Sequence, residues 1–155
     1  MAYWLMKSEP DEVSFADLQA APGQTLAWFG VRNYQARNFM RDQMAVGDGV
    51  LFYHSSCAEP GIAGLARVAS AAYPDASQFD PASAYYDAKA SVAAPRWTSV
   101  DIAAVRATRL LSLKELRGVE ALAGMRLLAK GSRLSVMPVD ARDWATIVAL
   151  LDGAA

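Results

Sequence analysis

The chain has 155 residues and a net charge of −1, with 54% hydrophobic and 20% charged residues. This composition excludes a disordered chain and predicts one globular domain over residues 1–155, and the near-zero charge argues against tight nonspecific binding of long duplexes. No apolar run is long enough to span a membrane, and the one cysteine, Cys57, excludes an internal disulfide.

Helix-start signals alternate with apolar segments in the first half of the chain. Residues 3–7 have the aromatic composition of a first strand and do not follow the pattern of a secretory signal. Ser14 and Asp17 have capping-box spacing, which predicts a short helix after them. Asn33 is placed to cap a second helix that extends to about residue 43. Residues 50–53 form a continuous apolar run, which predicts a strand buried on both faces.

The central part of the chain is richer in predicted strands. Residues 61–73 predict a longer strand, in which Gly61 and Gly64 permit a bend or a close approach of two backbones. Residues 96–109 predict another long strand, because side chains suited to opposite faces alternate along it.

Helical pieces and one more strand complete the chain. Ser112 begins a second capping box, and short helices are expected after it to about residue 128. Residues 134–139 predict a last strand, and Asp140 is placed to cap a final helix with an apolar stripe. Strands and helices do not alternate regularly, so the order predicts an α+β fold: a mixed, strongly bent sheet or small barrel with flanking helices.

The segment WFGVRNYQARN (28–38) carries the strongest functional signal. It joins a tryptophan and a glycine turn to a helix start that is rich in amides and arginines. These side chains can stack on a planar base, pair with its edge and bind phosphate. The alternatives are a core role for Trp28, a plain helix cap for Asn33 and a surface charge for Arg37.

Catalytic motifs are weak by comparison. The sequence contains no phosphate loop, dinucleotide fingerprint or nucleophile elbow. His54, followed by Ser55 and Ser56, is the one local group suggestive of acid–base chemistry, but adjacent strand residues point to opposite faces. We interpret His54 as a hydrogen-bonded structural or pocket-wall residue, with catalysis as the alternative. One histidine and one cysteine do not supply a Cys/His zinc site.

Basic residues are concentrated in the second half. Residues 96–133 contain eight basic residues against three acidic ones. A solvated surface is the favoured interpretation. The alternative is an interaction module that contacts RNA or a partner protein through Arg126, Lys130 and Arg133.

Seven motifs resemble one known family. They are YWLMKSEP (3–10), WFGVRNYQARN (28–38), GDGVLFYHS (47–55), PGIAGLARV (60–68), YPD (73–75), PRW (95–97) and RLSVMPV (133–139). Together they resemble the EVE domain, which bacterial EVE proteins and the thymocyte nuclear protein 1 family share. The resemblance implies a PUA-like fold and a distant relation to YTH domains, which bind methylated adenine in an aromatic cage. It also implies recognition of modified bases in DNA or RNA.

The resemblance assigns roles to several positions. Lys7 and Ser8 resemble the Lys-Ser pair after the first strand of the YTH relatives, and Trp28 resembles their first cage tryptophan. Glu9 departs from the family pattern, in which an amide is expected, and no second cage tryptophan is evident. Since a carboxylate accepts a hydrogen bond from the exocyclic amine of cytosine, modified cytosine remains open beside modified adenine. Most EVE proteins carry Asp at the position of Phe29.

These arguments define a predicted site and function. The predicted base pocket consists of Ser8, Glu9, Trp28, Asn33, Tyr53, His54 and Ser55, and the predicted phosphate contacts are Lys7, Arg32 and Arg37. We predict a bacterial, cytoplasmic binding module for modified nucleic acid or a modified nucleotide. It is expected to need no catalytic residue, metal, cofactor, membrane or obligate protein partner. The alternative is an enzyme acting on a nucleotide or modified nucleic acid, with His54 as acid or base.

Overall fold

A computed structural model describes residues 1–129 and 134–153 of the chain. In this part of the chain seven strands form one sheet: β1 (Tyr3–Ser8), β2 (Thr25–Trp28), β3 (Gly49–His54), β4 (Gly61–Val68), β5 (Tyr73–Pro74), β6 (Thr98–Ser112) and β7 (Val136–Pro138). The strand order is β2-β6-β4-β3-β1-β7, and β5 pairs with β6. Residues 130–133, which include Lys130 and Arg133 of the predicted basic surface, lie outside the described residues.

The sheet is mixed and bent, which confirms the predicted α+β class. β1 runs parallel to β3, with Trp4 opposite Val50, and the other pairings are antiparallel. The pairing of β3 with β4 shifts register between Phe52 and Tyr53, and the pairing of β4 with β6 shifts at two places. Such irregularities bend the strands that contain them.

Both faces of the sheet are buried, and successive residues of the central strands point to opposite cores. Trp4, Met6 and Phe52 belong to the first core, which also contains Phe15 and Leu18. Alternate positions of the same strands enter the second core: Leu5, Leu51 and Tyr53. This arrangement explains the continuous apolar run at residues 50–53 and confirms the strand predicted there.

The helices begin largely where the capping signals predict. Helix α1 (Phe15–Ala20) has both bonds of the capping box of Ser14, and Asn33 Oδ1 accepts a bond from the backbone N–H of Ala36 at the start of α2 (Tyr34–Asn38). Helix α2 continues as a π-helical turn, Phe39–Gln43. Short 3₁₀ turns follow α3 (Leu113–Arg117), and the last helix is α4 (Ala141–Leu151). No helix among the described residues is long and apolar enough to cross a membrane.

Two of the predicted caps are incomplete. Ser112 Oγ accepts from the backbone N–H of Glu115, but the Glu115 carboxylate pairs with Arg109 and does not return a bond to the cap. Asp140 occupies the cap position of α4 with no side-chain cap bond there. Spacing in the sequence places Glu115 three residues after Ser112, but Arg109 takes up its carboxylate.

The strand predictions need three corrections. β2 was not predicted, because it has four residues, follows a Pro-Gly turn and is held as a strand by its pairing with β6. The strand predicted over residues 61–73 ends at Val68, where the backbone N–H of Ala69 turns to the Asp101 carbonyl, and Tyr73–Pro74 forms the separate β5. The last strand is also shorter than predicted, since its ladder with β1 covers Val136–Pro138.

The two glycines of β4 stand where no side chain fits, as predicted for a close approach. A Cβ on Gly61 would lie 2.5 Å from the Leu111 carbonyl oxygen, and a Cβ on Gly64 would lie 2.5 Å from the ring of Phe15. We expect Gly61→Ala to lower the free energy of unfolding by about 1–3 kcal/mol, because backbone atoms would have to move. Urea unfolding measures the change. Gly124→Ala is the control, since no atom lies within 4 Å of its added Cβ, and equal stabilities of the two variants would contradict the account.

Candidate functional site

A cavity of about 390 Å³ opens on the side of the sheet that carries the first core. This volume is within the range of about 300–1,000 Å³ that is typical of small-molecule sites. Its apolar floor is formed by side chains from α1, β2, β3 and β6 and from the segment after β2: Leu18, Leu26, Trp28, Val31, Phe52 and Ile102. Its polar rim comes from the ends of β1 and β3 and from the residue before β7: Lys7, Ser8, Glu9, Ser55, Ser56 and Ser135.

Trp28 provides an aromatic wall that is held from behind. It is the last residue of β2, where it pairs with Val100, and its half-buried ring meets Phe52 edge to face, with 5.4 Å between centroids and 79° between planes. Phe52 is only 1% exposed, and its ring also meets those of Phe15 and His54 edge to face. Because Phe52 cannot move without disturbing this cluster, the indole has a fixed surface against which a planar ligand can stack.

The polar rim contains two opposite charges with no ion-pair partner. In residues 1–129 and 134–153, no salt bridge includes Lys7 or Glu9. Partial burial lowers the pKa of Lys7, and its Nζ lies 6.0 Å from the centroid of the Tyr53 ring. An ammonium group donates hydrogen bonds and a carboxylate accepts them, so the rim can bind a ligand edge that presents both acceptors and a donor.

Backbone and hydroxyl contacts position this rim. Ser8 Oγ donates to the Val13 carbonyl at 2.6 Å, and the Ser8 carbonyl accepts from the backbone N–H of Ser55 at 2.9 Å. The Lys7 backbone N–H donates to the carbonyl of Ser135 at 2.7 Å. Three chain segments that are distant in sequence therefore meet at one edge of the cavity.

Tyr85 and Phe29 form an aromatic edge at the mouth of the cavity. Their rings meet edge to face with centroids 5.7 Å apart, and the Tyr85 hydroxyl donates to a carboxylate oxygen of Glu12. Partial burial and the Glu12 carboxylate raise the pKa of Tyr85 to about 12, so this hydroxyl keeps its proton at neutral pH. Gly30 lies beneath the ring with φ +82, and a Cβ there would lie 2.8 Å from Tyr85. Only glycine fits at this position.

Asp75 holds the segment between Trp28 and α2. It is 1% exposed and accepts bonds from the Gly30 backbone N–H at 2.8 Å, from Arg32 Nη1 at 3.0 Å and from both the backbone N–H and the hydroxyl of Ser77. Burial alone would raise its pKa, but the bonds from Ser77, Gly30 and Arg32 outweigh burial and lower it. Arg32 also donates to the Tyr85 carbonyl. This network therefore holds both the Gly30 segment and the Tyr85 segment in place.

The structure brings together half of the predicted site residues. Five line the cavity: Lys7, Ser8, Glu9, Trp28 and Ser55. The other five lie outside its lining: Arg32, Asn33, Arg37, Tyr53 and His54. The side chain of Asn33 caps α2 and that of Tyr53 enters the second core, while Arg32 binds Asp75. The Arg37 guanidinium donates to the Arg96 carbonyl and to Asn38 Oδ1.

Sequence reasoning did not identify several residues of the cavity as site residues. Glu12 and Tyr85 meet across 73 positions of sequence, and Tyr85 lies in a segment without strand or helix signals. Phe29, at which the sequence departs from the family pattern, is 42% exposed and lines the cavity. The signal that the sequence offers is a second aromatic residue directly after Trp28.

The His54 ring has a structural partner. Its Nε2 accepts a hydrogen bond from the backbone N–H of Phe15 at 3.1 Å, which places the proton of the neutral ring on Nδ1. This contact gives the start of α1 an acceptor on β3. Burial lowers the pKa of His54, because the charged ring is desolvated there.

We expect this histidine to make stability depend on pH in one window. A lowered folded-state pKa means that the unfolded chain binds a proton first, so the stabilisation is complete above the ordinary value of 6.5 and is lost as the pH falls below it. Urea unfolding from about pH 8 to about pH 5 measures the loss. His54→Gln keeps a hydrogen-bond acceptor that does not titrate, so it should lose less stability as the pH falls. The same loss of stability in the unaltered protein and in His54→Gln would contradict this role.

Some of the basic residues of the second half have ion-pair partners in the described part of the chain. Arg106 pairs with Asp152 and Arg109 pairs with Glu115, all four side chains being largely exposed. The guanidinium of Arg126 lies 5.9 Å from the Phe39 ring centroid. The two exposed ion pairs are typical of a solvated surface.

Comparison with known proteins gives consistent matches over nearly the whole chain. The EVE domain profile matches residues 2–150. Thymocyte nuclear protein 1 of Homo sapiens is 40% identical over 167 residues, which cover 96% of this chain and 73% of that protein. A crystal structure of a Pseudomonas syringae protein is 54% identical with a TM-score of 0.92, covering 96% of this chain and 99% of that one.

A further similar structure contains a ligand. The crystal structure of human THYN1 protein in complex with DNA that contains 5-methylcytosine is 39% identical to this chain. Its TM-score is 0.89, and the match covers 98% of each chain.

Proposed function

Because the chain belongs to the EVE domain family, we propose that it binds nucleic acid and recognises a modified cytosine in the cavity beside Trp28. The family membership confirms the resemblance carried by the sequence motifs. The choice of cytosine is supported by the human relative, whose structure contains 5-methylcytosine DNA. It is supported independently by the chemistry of the cavity rim.

The observation that carries the proposal is the placement of Lys7, Glu9 and Trp28 around one cavity. Cytosine presents an amine donor beside a ring-nitrogen acceptor and a carbonyl acceptor on its pairing edge. In the proposed complex the base stacks on Trp28, the Glu9 carboxylate accepts from the amine, and the Lys7 ammonium donates to an acceptor. Both charged groups lack an ion-pair partner among the described residues, so neither bond requires an existing salt bridge to break.

The apolar floor accounts for a preference for the modified base. Leu18, Leu26 and Ile102 line the cavity, and a methyl group on the base can replace water against them. One additional carbon in an apolar pocket contributes about 1–3 kcal/mol, a preference of roughly 10- to 200-fold. The polar contacts would therefore select the base, and the floor would select its modification.

A base can enter this cavity only when it has left the helical stack. Extruding a base costs a few kcal/mol in a paired duplex and least in single-stranded or mismatched sites. We therefore expect tighter binding when the modified cytosine is in a single strand than when it is paired in a duplex.

We propose binding rather than turnover. His54, the candidate acid or base, does not line the cavity, and its Nε2 is occupied by the Phe15 N–H. Incubation of modified and unmodified nucleotides with excess protein should leave both unchanged. Turnover that is lost in His54→Ala would instead support the enzyme alternative.

The test is a binding panel of short single-stranded oligonucleotides that differ only in the central base. It comprises cytosine, 5-methylcytosine, 5-hydroxymethylcytosine, adenine and N6-methyladenine, with binding followed by tryptophan fluorescence. Trp144→Phe removes the fluorescence of a tryptophan that stacks on Tyr3 at the second core, away from the cavity. We expect a modified cytosine to bind best in both proteins. Equal affinities across the panel would overturn the proposal.

A further inference from the structure

A second aromatic surface lies beside the cavity, at the start of α2. Tyr34 is 52% exposed, and its ring stacks on Trp97 with centroids 4.8 Å apart and 26° between the planes. Trp97 is itself 6% exposed, and its Nε1 donates to Asp87 Oδ2 at 2.8 Å. The inner face of Tyr34 is thus covered by a side chain that is packed and hydrogen-bonded in place.

The Tyr34 ring keeps a large exposed surface beside its neighbouring arginine. The guanidinium carbon of Arg37 lies 4.8 Å from the Tyr34 centroid and 6.0 Å from that of Trp97. Tyr34 nevertheless remains 52% exposed. Because Trp97 covers its inner face, this exposure comes from its outer face and its ring edge.

A continuous row of side chains connects this ring to the mouth of the cavity. The guanidinium carbon of Arg32 lies 5.3 Å from the Trp97 centroid and 5.5 Å from that of Tyr85, which lines the mouth. Arg32 is held by Asp75 and by the Tyr85 carbonyl. Hence the Tyr34 ring has a fixed position relative to the cavity and does not depend on a flexible loop.

We propose that the outer face of Tyr34 is a stacking platform for a second nucleobase, an inference that rests on the proposed function. This base is the neighbour, in the same strand, of the base held in the cavity. An exposed aromatic face backed by a second ring suits stacking of any base, whatever its pairing edge. Arg37 borders the platform, with its guanidinium carbon 4.8 Å from the Tyr34 centroid. A guanidinium group there supplies positive charge for a phosphate that links the two nucleotides.

The test compares one nucleotide with a strand. The ligands are 5-methyldeoxycytidine monophosphate, a short single strand with 5-methylcytosine at its centre, and the same strand with an abasic site at either neighbouring position. We expect Tyr34→Ala to weaken strand binding by about 5- to 100-fold and to leave mononucleotide binding unchanged. Tyr34→Phe retains the ring and should bind as the unaltered protein does. Tyr86→Ala is the control, because it removes a similarly exposed tyrosine, 44%.

The abasic strands test the platform in the unaltered protein. One of the two abasic sites should weaken binding by a similar factor, and Tyr34→Ala should cause no further loss with that strand. The platform would be overturned if the unaltered protein bound all strands equally. It would also be overturned if Tyr34→Ala bound the intact strand as tightly as the unaltered protein does. In that case a retained preference for 5-methylcytosine would show that the proposed function stands. If the platform results held but the preference for 5-methylcytosine were lost, the function proposed for the cavity would be contradicted.

Discussion

Replacing Trp28 with alanine is expected to weaken binding of a modified cytosine by about 5- to 100-fold, whether as a mononucleotide or in a strand. The reason is the loss of the indole surface that lines the cavity and rests edge to face on Phe52. The alanine leaves the rim charges of Lys7 and Glu9 in place, so the stacking contribution is removed selectively. Calorimetric titration measures the loss without relying on tryptophan fluorescence.

The matched variants for this prediction are Trp28→Phe and Trp144→Ala. Trp28→Phe keeps an aromatic face and should recover part of the affinity. Trp144→Ala removes an indole that stacks on Tyr3 with centroids 4.5 Å apart, on the side of the second core. It should lower stability and leave the affinity of the folded protein unchanged. Binding by Trp28→Ala as tight as that of the unaltered protein would contradict the stacking role.

Replacing Asp75 with alanine is expected to lower the free energy of unfolding by about 3–5 kcal/mol. The side chain is 1% exposed, and its removal leaves the Gly30 N–H and the Arg32 guanidinium without their acceptor. An uncompensated, partly buried charge costs more than the ion pair itself contributes. Because the pKa of Asp75 is lowered from 3.8, its stabilisation is complete above that pH and is lost as the pH falls further.

Urea unfolding at neutral pH measures this change, and Asp42→Ala is the control. Asp42 also pairs with an arginine, Arg41, but both side chains are about half exposed, so we expect little change in stability. Asp75→Ala should additionally weaken binding of the modified base, since Gly30 and Arg32 position the mouth of the cavity. A variant as stable as the unaltered protein would show that the Asp75 network does not support the site.

Local features of the structure were predictable from the sequence where the forces are local. Ser14 and Asn33 cap their helices because each side chain reaches a backbone N–H three residues further on. The run at residues 50–53 is apolar throughout because alternate side chains enter two separate cores. Neither feature requires knowledge of a distant partner.

The unpredicted features depend on long-range contacts. Strand β2 forms because β6 provides its partner, and one edge of the cavity mouth is held by the bond from Tyr85 to Glu12. Arg32 was predicted to bind phosphate from its position before a helix, but Asp75, 43 positions away, accepts its hydrogen bond. A sequence pattern identifies a cation and does not identify the carboxylate that the fold brings beside it.

Trp28 and Glu9 show how far the site could be predicted. Their chemistry suggested stacking and acceptance of an exocyclic amine before any fold was known, and the structure places both around one cavity. His54 had equally suggestive chemistry but is turned to the Phe15 N–H. Side-chain type alone does not show which of these residues line the cavity, whereas the topology of the sheet does.

The most direct test of the account is an NMR measurement on the complex with a short strand that carries ¹³C-labelled 5-methyl on its central cytosine. We expect nuclear Overhauser effects from this methyl group to the side chains of Leu18, Leu26 and Ile102, which line the apolar floor of the cavity. A saturated complex in which the methyl group contacts none of these side chains would contradict the claim that this cavity binds the modified base.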